Sequence, residues 1–351
     1  MIPELVQGLG LDAFQQRWPW IGPDLQTLRD TLKPPLLPPD QGEPLALAVG
    51  DQASLLAMVD PPLPVAAGQW VEPRGLVVLL HGLGGSSERE GLRRMGLSLQ
   101  AAGFAVWRLN LRGAGPGRPL APGTYAARCD RDLLPVLLRA REQAGGLPLL
   151  GVGISLGGTM LLNAALAAPG AMDALVCTSS PLDLARCSQQ IEQPRNRVYQ
   201  RWLLRRLCAQ TLADPFGVSA AERLALEGPD RPRTIRAFDA AITAPRWGYG
   251  SVEHYYREAS PLPRLLGAHG DGSSNPPALP PTLLLHALDD PWVPVSGAQA
   301  LVAQAPPGVE VVLTARGGHN GFHGVGDVPL SCWGDQLTVR WLNRLLVSGV
   351  G

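Results

Sequence analysis

Residues 149–160 constrain what this chain can fold into more than any other stretch. Leu149 to Ile154 is an apolar, branched run that predicts a buried strand, and Leu156 to Ala167 predicts the helix after it. Between them stands Ser155, with Gly153 and Gly157 two residues away on either side. The spacing is that of a strand-to-helix turn sharp enough to lift the serine hydroxyl clear of the sheet. The backbone passes close to its neighbours there, and glycine, with no Cβ to clash, suits both flanking positions.

Around this turn, strand-like and helix-like stretches alternate. Residues 44–49 and 53–59 predict an opening antiparallel hairpin. Residues 75–80 form a continuous apolar strand, buried on both faces if the sheet is parallel. It runs into His81-Gly82-Leu83-Gly84-Gly85-Ser86-Ser87. A helix over 91–102, a strand over 105–109 and a helix over 132–142, with Pro135 in its first turn, come next. Beyond the serine turn, 174–178 is a short strand.

From about residue 184 to 262 the alternation stops, and this region reads as an insertion forming a helical cap. Within it, residues 195–210 are arginine-rich and amphipathic, with Val198, Trp202, Leu203 and Leu207 on one side. A solvated surface helix and a contact with a lipid surface are the other readings of that stretch. After a Gly-, Ser- and Pro-rich loop at 270–281, strands at 282–287 and 309–313 and a helix over 331–347 close the chain. This order predicts a mostly parallel, twisted α/β sheet covered by helices on both faces, in a domain over residues 41–348. Residues 1–40 read as an irregular segment packing on that core, in which Asp24 caps a short helix and Trp18 and Trp20 pack inward.

With 351 residues, 45% of them hydrophobic, the chain can bury a large core. Its 30 basic and 30 acidic residues cancel, and no charged tail is present, which argues against a nucleic-acid partner. The basic residues are nearly all arginine, Lys33 being the one lysine. Cys129, Cys177, Cys187, Cys208 and Cys332 are odd in number and include no C-x-x-C pair, so neither a disulfide framework nor a zinc site follows. Gly113-Ala114-Gly115-Pro116-Gly117 lacks the Lys-Ser/Thr of a phosphate loop. The third glycine of a dinucleotide fingerprint beginning at Gly151 is replaced by Leu156. No cofactor or metal is expected. The start of the chain lacks the pattern of a secretion signal, and no run approaches the ~18 apolar residues of a membrane span. A soluble, cytoplasmic protein is the expectation.

A serine hydroxyl is a poor nucleophile at neutral pH and needs an adjacent base, itself oriented by a third group. In chains with this turn the acid and then the histidine follow the serine, each on a loop after a strand. Asp289-Asp290-Pro291-Trp292-Val293-Pro294 follows the penultimate strand, and Gly317-Gly318-His319-Asn320-Gly321-Phe322 the last. Asp290 is preferred as the acid, since x-x-V-P follows it; Asp289 is the alternative and would cap the turn. His319 is the expected base. His323 reads as a supporting or surface residue, and His254, His269 and His286 sit off the expected loops. The backbone N–H groups of Leu83 and Leu156 are the candidate oxyanion donors. His81 reads as structural and Arg112 as a brace for its loop.

With these residues laid out, the chain resembles the α/β-hydrolase superfamily, and more narrowly the YheT-like hydrolases, which include the mammalian ABHD1/ABHD2/ABHD3-type proteins. The likeness is carried by Asp24-Leu25-Gln26-Thr27-Leu28, the loop at His81, Asn110-Leu111-Arg112-Gly113, Phe238-Asp239 with Thr243-Ala244-Pro245, Tyr255 to Ser260, and the two loops holding Asp290 and His319. Two departures stand out: Gly84 replaces the family's acidic residue, and the stretch from Tyr125 to Leu133 lacks its histidine and glycine. The resemblance implies an α/β-hydrolase fold and a serine hydrolase acting on small-molecule, hydrophobic esters through Ser155, His319 and Asp290. An acyltransferase or thioesterase using the same three residues, or a catalytically silent binding protein on this fold, are the alternatives.

Overall fold

The computed structural model describes residues 2–50, 52–64, 71–267 and 279–347. His269 and most of the expected loop at 270–281 lie outside the described residues. Eight strands form one sheet: β1 (Glu43–Ala48), β2 (Ser54–Asp60), β3 (Leu76–Leu80), β4 (Ala105–Asn110), β5 (Leu149–Ile154), β6 (Ala174–Thr178), β7 (Thr282–Ala287) and β8 (Val309–Thr314). Their order is β1-β2-β4-β3-β5-β6-β7-β8. β1 pairs antiparallel with β2, and β2 with β4, whereas every pair from β4 to β8 is parallel. The mostly parallel sheet expected from the alternation is the one observed.

Side chains alternate across the sheet. Leu76, Val78 and Leu80 join Leu109, Leu133, Met160 and Leu161 on one face. Val77 and Leu79 join Leu99, Val106, Val152 and Trp341 on the other. Helices cover both faces: α1 (Ile2–Gly8), then, after α2 (Pro23–Leu32), which lies against the loop following β8, α3 (Glu90–Ala101), α4 (Asp130–Ala144), α5 (Leu156–Ala167), the helix Ser296–Gln304 and a closing helix, Trp333–Val347. Between β6 and β7 lie α6 (Leu184–Ile191), α7 (Arg197–Leu212), α8 (Ala220–Glu227) and further helical pieces to Leu265, with no strand among the described residues.

Several local expectations are corrected. The opening segment is not wholly irregular, since it begins with α1, whose Val6 is buried. Asp24 does not cap α2: Gly22 is the N-cap, Pro23 occupies the first turn, and Asp24 follows it. Trp18 is 86% exposed rather than packed. Helix α4 starts at Asp130, two residues early, which moves Pro135 from the first turn into the interior.

The serine turn is held by backbone contact. An ideal Cβ on Gly153 would lie 2.3 Å from the amide nitrogen of Gly158, and one on Gly157 would lie 2.6 Å from the Leu80 carbonyl oxygen. Neither backbone atom can yield without moving a core element. Gly153→Ala is therefore expected to cost about 3 kcal/mol or more in thermal or denaturant unfolding. Gly250→Ala, whose Cβ meets nothing within 4 Å, should leave the midpoint nearly unchanged.

Candidate active site

The loops after β3, β5, β7 and β8 meet at the carboxyl edge of the sheet, where strand order reverses around β3 and β5. That crevice is where ligands bind in open α/β sheets. Ser155, between β5 and α5, has φ 53° and ψ −125°, a left-handed conformation that costs a non-glycine residue energy. Its amide donates to Thr178 O at 2.8 Å, fixing the turn to the end of β6.

The structure brings together three side chains separated by up to 164 residues. His319 Nε2 lies 2.9 Å from Ser155 Oγ, and its Nδ1 lies 2.9 Å from Asp290 Oδ2. With Asp290 an acceptor, Nδ1 carries the proton and Nε2 faces the hydroxyl as acceptor. Asp290 Oδ1 in turn accepts from the amides of Trp292 and Val293. Asp289 points elsewhere, and its Oδ1 accepts from Gly318 N, bracing the histidine loop.

Leu83 and Leu156 also lie here. Leu156 opens α5, where the first amides have no partner within the helix, and neither its N–H nor that of Leu83 has a hydrogen-bond partner among the described residues. The Leu83 loop runs close to the serine, since a Cβ on Gly82 would stand 2.9 Å from Ser155 Cβ. His81 anchors that loop. Its Nδ1 donates to Gly82 O at 2.8 Å, and its Nε2 accepts from Leu111 N. Burial pushes its pKa down to about 4. Gly84 has φ +66°, its amide donates to the Tyr125 hydroxyl, and its carbonyl accepts from Arg206 of α7. Arg112 braces its own loop through a two-pronged contact with Asp132 and a bond to Pro122 O.

Much of the support comes from residues far apart in the sequence, with no local motif to mark their pairing. Trp292 stacks on the His319 ring at 4.6 Å, and Tyr199 of α7 meets Trp292 edge-on at 5.2 Å. Thr27 Oγ1 accepts from His319 N. Buried Gln26 accepts from His323 N and donates to His323 O. His323 itself is buried, not on the surface, between Asp30 and Asp327. Burial opposes ionisation of Asp30, yet the His323 hydrogen bond and the Arg94 charge hold its carboxyl well below the ordinary range. The signal for these contacts was the Asp24-to-Leu28 stretch, whose partners lie almost a chain length away. His254 packs against Tyr249. His286, on β7, lies 4.0 Å from Asp290, and burial lowers its pKa.

A cavity of about 360 Å³ holds Ser155, His319, Leu83 and Leu156 in its lining. The β6–β7 insertion contributes Ile191, Leu203, Leu207 and Phe238. Its one carboxyl there, Asp239, accepts from Thr243 and Tyr256, and burial pushes its pKa up to about 6. The four apolar residues expected on one side of the arginine-rich stretch divide: Leu203 and Leu207 are buried, Val198 and Trp202 exposed.

The α/β hydrolase fold family matches residues 75–324. The chain is 30% identical to the mouse (Mus musculus) protein Phospholipase ABHD3 over 251 residues, 71% of this chain and 58% of that protein. It thus spans less than two thirds of that relative's length. It is 32% identical to YheT of Escherichia coli (strain K12) over 276 residues, 77% of each chain. Among solved structures, a soluble variant of monoglyceride lipase from Saccharomyces cerevisiae superposes with a TM-score of 0.52 at 17% identity, over 88% of this chain and 99% of that one, a likeness of fold.

Two outcomes test the supports. A depressed histidine pKa adds stability that is complete above the unfolded value of 6.5 and lost as pH falls through the folded value of about 4. The His81 ring should therefore remain the neutral Nδ1–H tautomer at pH 5.5 in long-range nitrogen–proton NMR spectra. Gln26→Leu, of similar shape, strands the amide and carbonyl of His323 and should cost about 1–3 kcal/mol for the buried donor, read from denaturant unfolding.

Proposed function

The chain belongs to the α/β-hydrolase fold family and to its YheT-like branch, and within it we propose that this protein is a serine hydrolase of carboxylic esters with an apolar acyl group. The observation that carries the reading is the pair of 2.9 Å contacts linking Ser155 to His319 and His319 to Asp290. Distance and tautomer both suit a base poised to take the serine proton.

In this mechanism Ser155 Oγ attacks the ester carbonyl carbon while its proton passes to His319 Nε2. Asp290 keeps the imidazole in the required tautomer and stabilises the imidazolium. The carbonyl oxygen, now an oxyanion, sits against the free amides of Leu83 and Leu156. Collapse expels the alcohol, protonated by His319, and leaves Ser155 acylated. Water, deprotonated by the same imidazole, then releases the acid and restores the hydroxyl. Stacking of Trp292 on the ring excludes solvent from one imidazole face and limits its rotation.

Residues 184–262 act in this reading as a cap on the hydrolase domain of residues 41–348. Ile191, Leu203, Leu207 and Phe238 give the cavity its apolar wall, which suits a hydrocarbon chain more than a polar acid. The phospholipase named among the relatives is consistent with that class of acyl ester.

Ser155→Ala should lower kcat for p-nitrophenyl esters by about 10⁶ and abolish labelling by a fluorophosphonate probe, which the unaltered protein should accept at Ser155. Retained hydrolysis in the variant would end the assignment, and an unlabelled wild-type protein would point to a silent binding role.

A further inference from the structure

The exposed side of α7 has a composition that the proposed chemistry does not use. Six residues of this helix are exposed: Arg197, Val198, Arg201, Trp202, Arg205 and Ala209. At 100° per residue they fall within one arc of roughly 140°. Val198 is 79% exposed and Trp202 45%, an uncommon placement for two large apolar groups one helical turn apart. The helix contains no acidic residue. Arg206 is engaged with Gly84 O, and Arg195, just before the helix, pairs with Asp24. Arg197, Arg201 and Arg205 have no ion pair or side-chain hydrogen bond among the described residues.

The apolar surface continues beyond the helix. Asp24 accepts from Arg195 and from the Tyr199 hydroxyl, which sets the start of α2 against the start of α7. Ile21 and Leu25, on either side of Asp24 in sequence, are exposed, as is Trp18. The patch also reaches the cavity, because Trp202 contributes to its lining while remaining open to solvent. Among the described residues no helix is long and apolar enough to cross a membrane, so any lipid contact made by them is at the surface.

We propose that this face of α7, extended by the start of α2, docks on a phospholipid bilayer bearing anionic headgroups. The three unpaired guanidinium groups complement phosphate and other anionic lipid charge. Val198 and Trp202 enter the boundary between headgroups and acyl chains, where an indole ring is favoured. Arginine suits this role because its planar fork pairs with phosphate oxygens in two-pronged fashion. Docking in this orientation sets the Trp202 edge of the cavity against the lipid, so an acyl ester could pass between the two without crossing water.

The test is partition onto large unilamellar vesicles measured by co-sedimentation, comparing phosphatidylcholine alone with phosphatidylcholine containing phosphatidylglycerol. The full chain should bind the anionic vesicles and release them as salt is raised toward about 1 M, where charges are screened beyond about 3 Å. The triple variant Arg197→Gln, Arg201→Gln, Arg205→Gln should lose about a hundredfold in partition while hydrolysing a soluble short-chain p-nitrophenyl ester as before, which also shows that it folds. Val198→Thr, uncharged and of nearly the same shape, should weaken binding through the apolar contact alone. Ser155→Ala should bind vesicles like the unaltered protein, so loss of the proposed reaction and loss of docking are separate results. Failure to bind anionic vesicles, equal binding by the triple variant, or light scattering that shows a dimer abolished by the triple variant would each overturn the proposal, the last by making a second copy the occupant.

Discussion

The close approach of α5 to the ends of β3 and β5 is the constraint on which the rest of the site depends. Ser155 is held at a positive φ because its neighbours leave the chain no other route: Gly157 passes the Leu80 and His81 carbonyls, and Gly153 passes Gly158, at distances no Cβ tolerates. A strained residue persists only when its surroundings over-determine it. Here they do so from three sides, through β3, through β6 by the bond from the Ser155 amide to Thr178 O, and through α5. The same wedge leaves the Leu156 amide free at a helix start and brings the loop around Leu83 beside it. One packing contact therefore sets both the serine hydroxyl and its two neighbouring donors.

The histidine side of the site is built differently. β8 delivers His319 to the right edge of the sheet, but the loop that carries it is suspended from the N-terminal segment. Thr27 holds the His319 amide, Gln26 holds both backbone groups of His323, and a Cβ on Gly318 or Gly321 would strike the backbone of α2. Behind them Arg94 ties Asp30 of α2 to Asp335 of the closing helix. A rigid strand end supplies position and a remote helix supplies orientation, so α2 supports the site although it contributes none of the three side chains in the Ser155–His319–Asp290 chain of contacts.

What could be read in the sequence follows from the range of the interactions involved. The strand–turn–helix around Ser155 and the hairpin of β1 and β2 rest on patterns within a few residues, and the structure has both. Asp290, preferred over Asp289 for the x-x-V-P that follows it, is the one whose carboxylate reaches His319, and the two bonds it accepts from Trp292 and Val293 are local turn geometry. The shelf formed by Gln26 was not legible, since its partner is 297 residues away. Nor was the exposure of Trp18 or the splitting of Val198 and Trp202 from Leu203 and Leu207. Periodicity says that a helix has an apolar arc; it does not say how much of that arc the rest of the fold covers.

The same distinction gives a structural use to part of the arginine content, which composition alone left without meaning. Arg108 is buried on β4, yet it reaches Asp60 and Asp40 and donates to Ser87 O. Arg112 grips Asp132 with two nitrogens, and Arg141 grips Asp173 in the same way. A charge taken from water is tolerated only when its hydrogen bonds are satisfied, and a planar fork with five donors satisfies them where a single ammonium could not. These arginines close the fold because each is matched to a carboxylate. On α7 the match fails at three successive turns, so the residue type that ties strands and helices together elsewhere stands along that face without its anion.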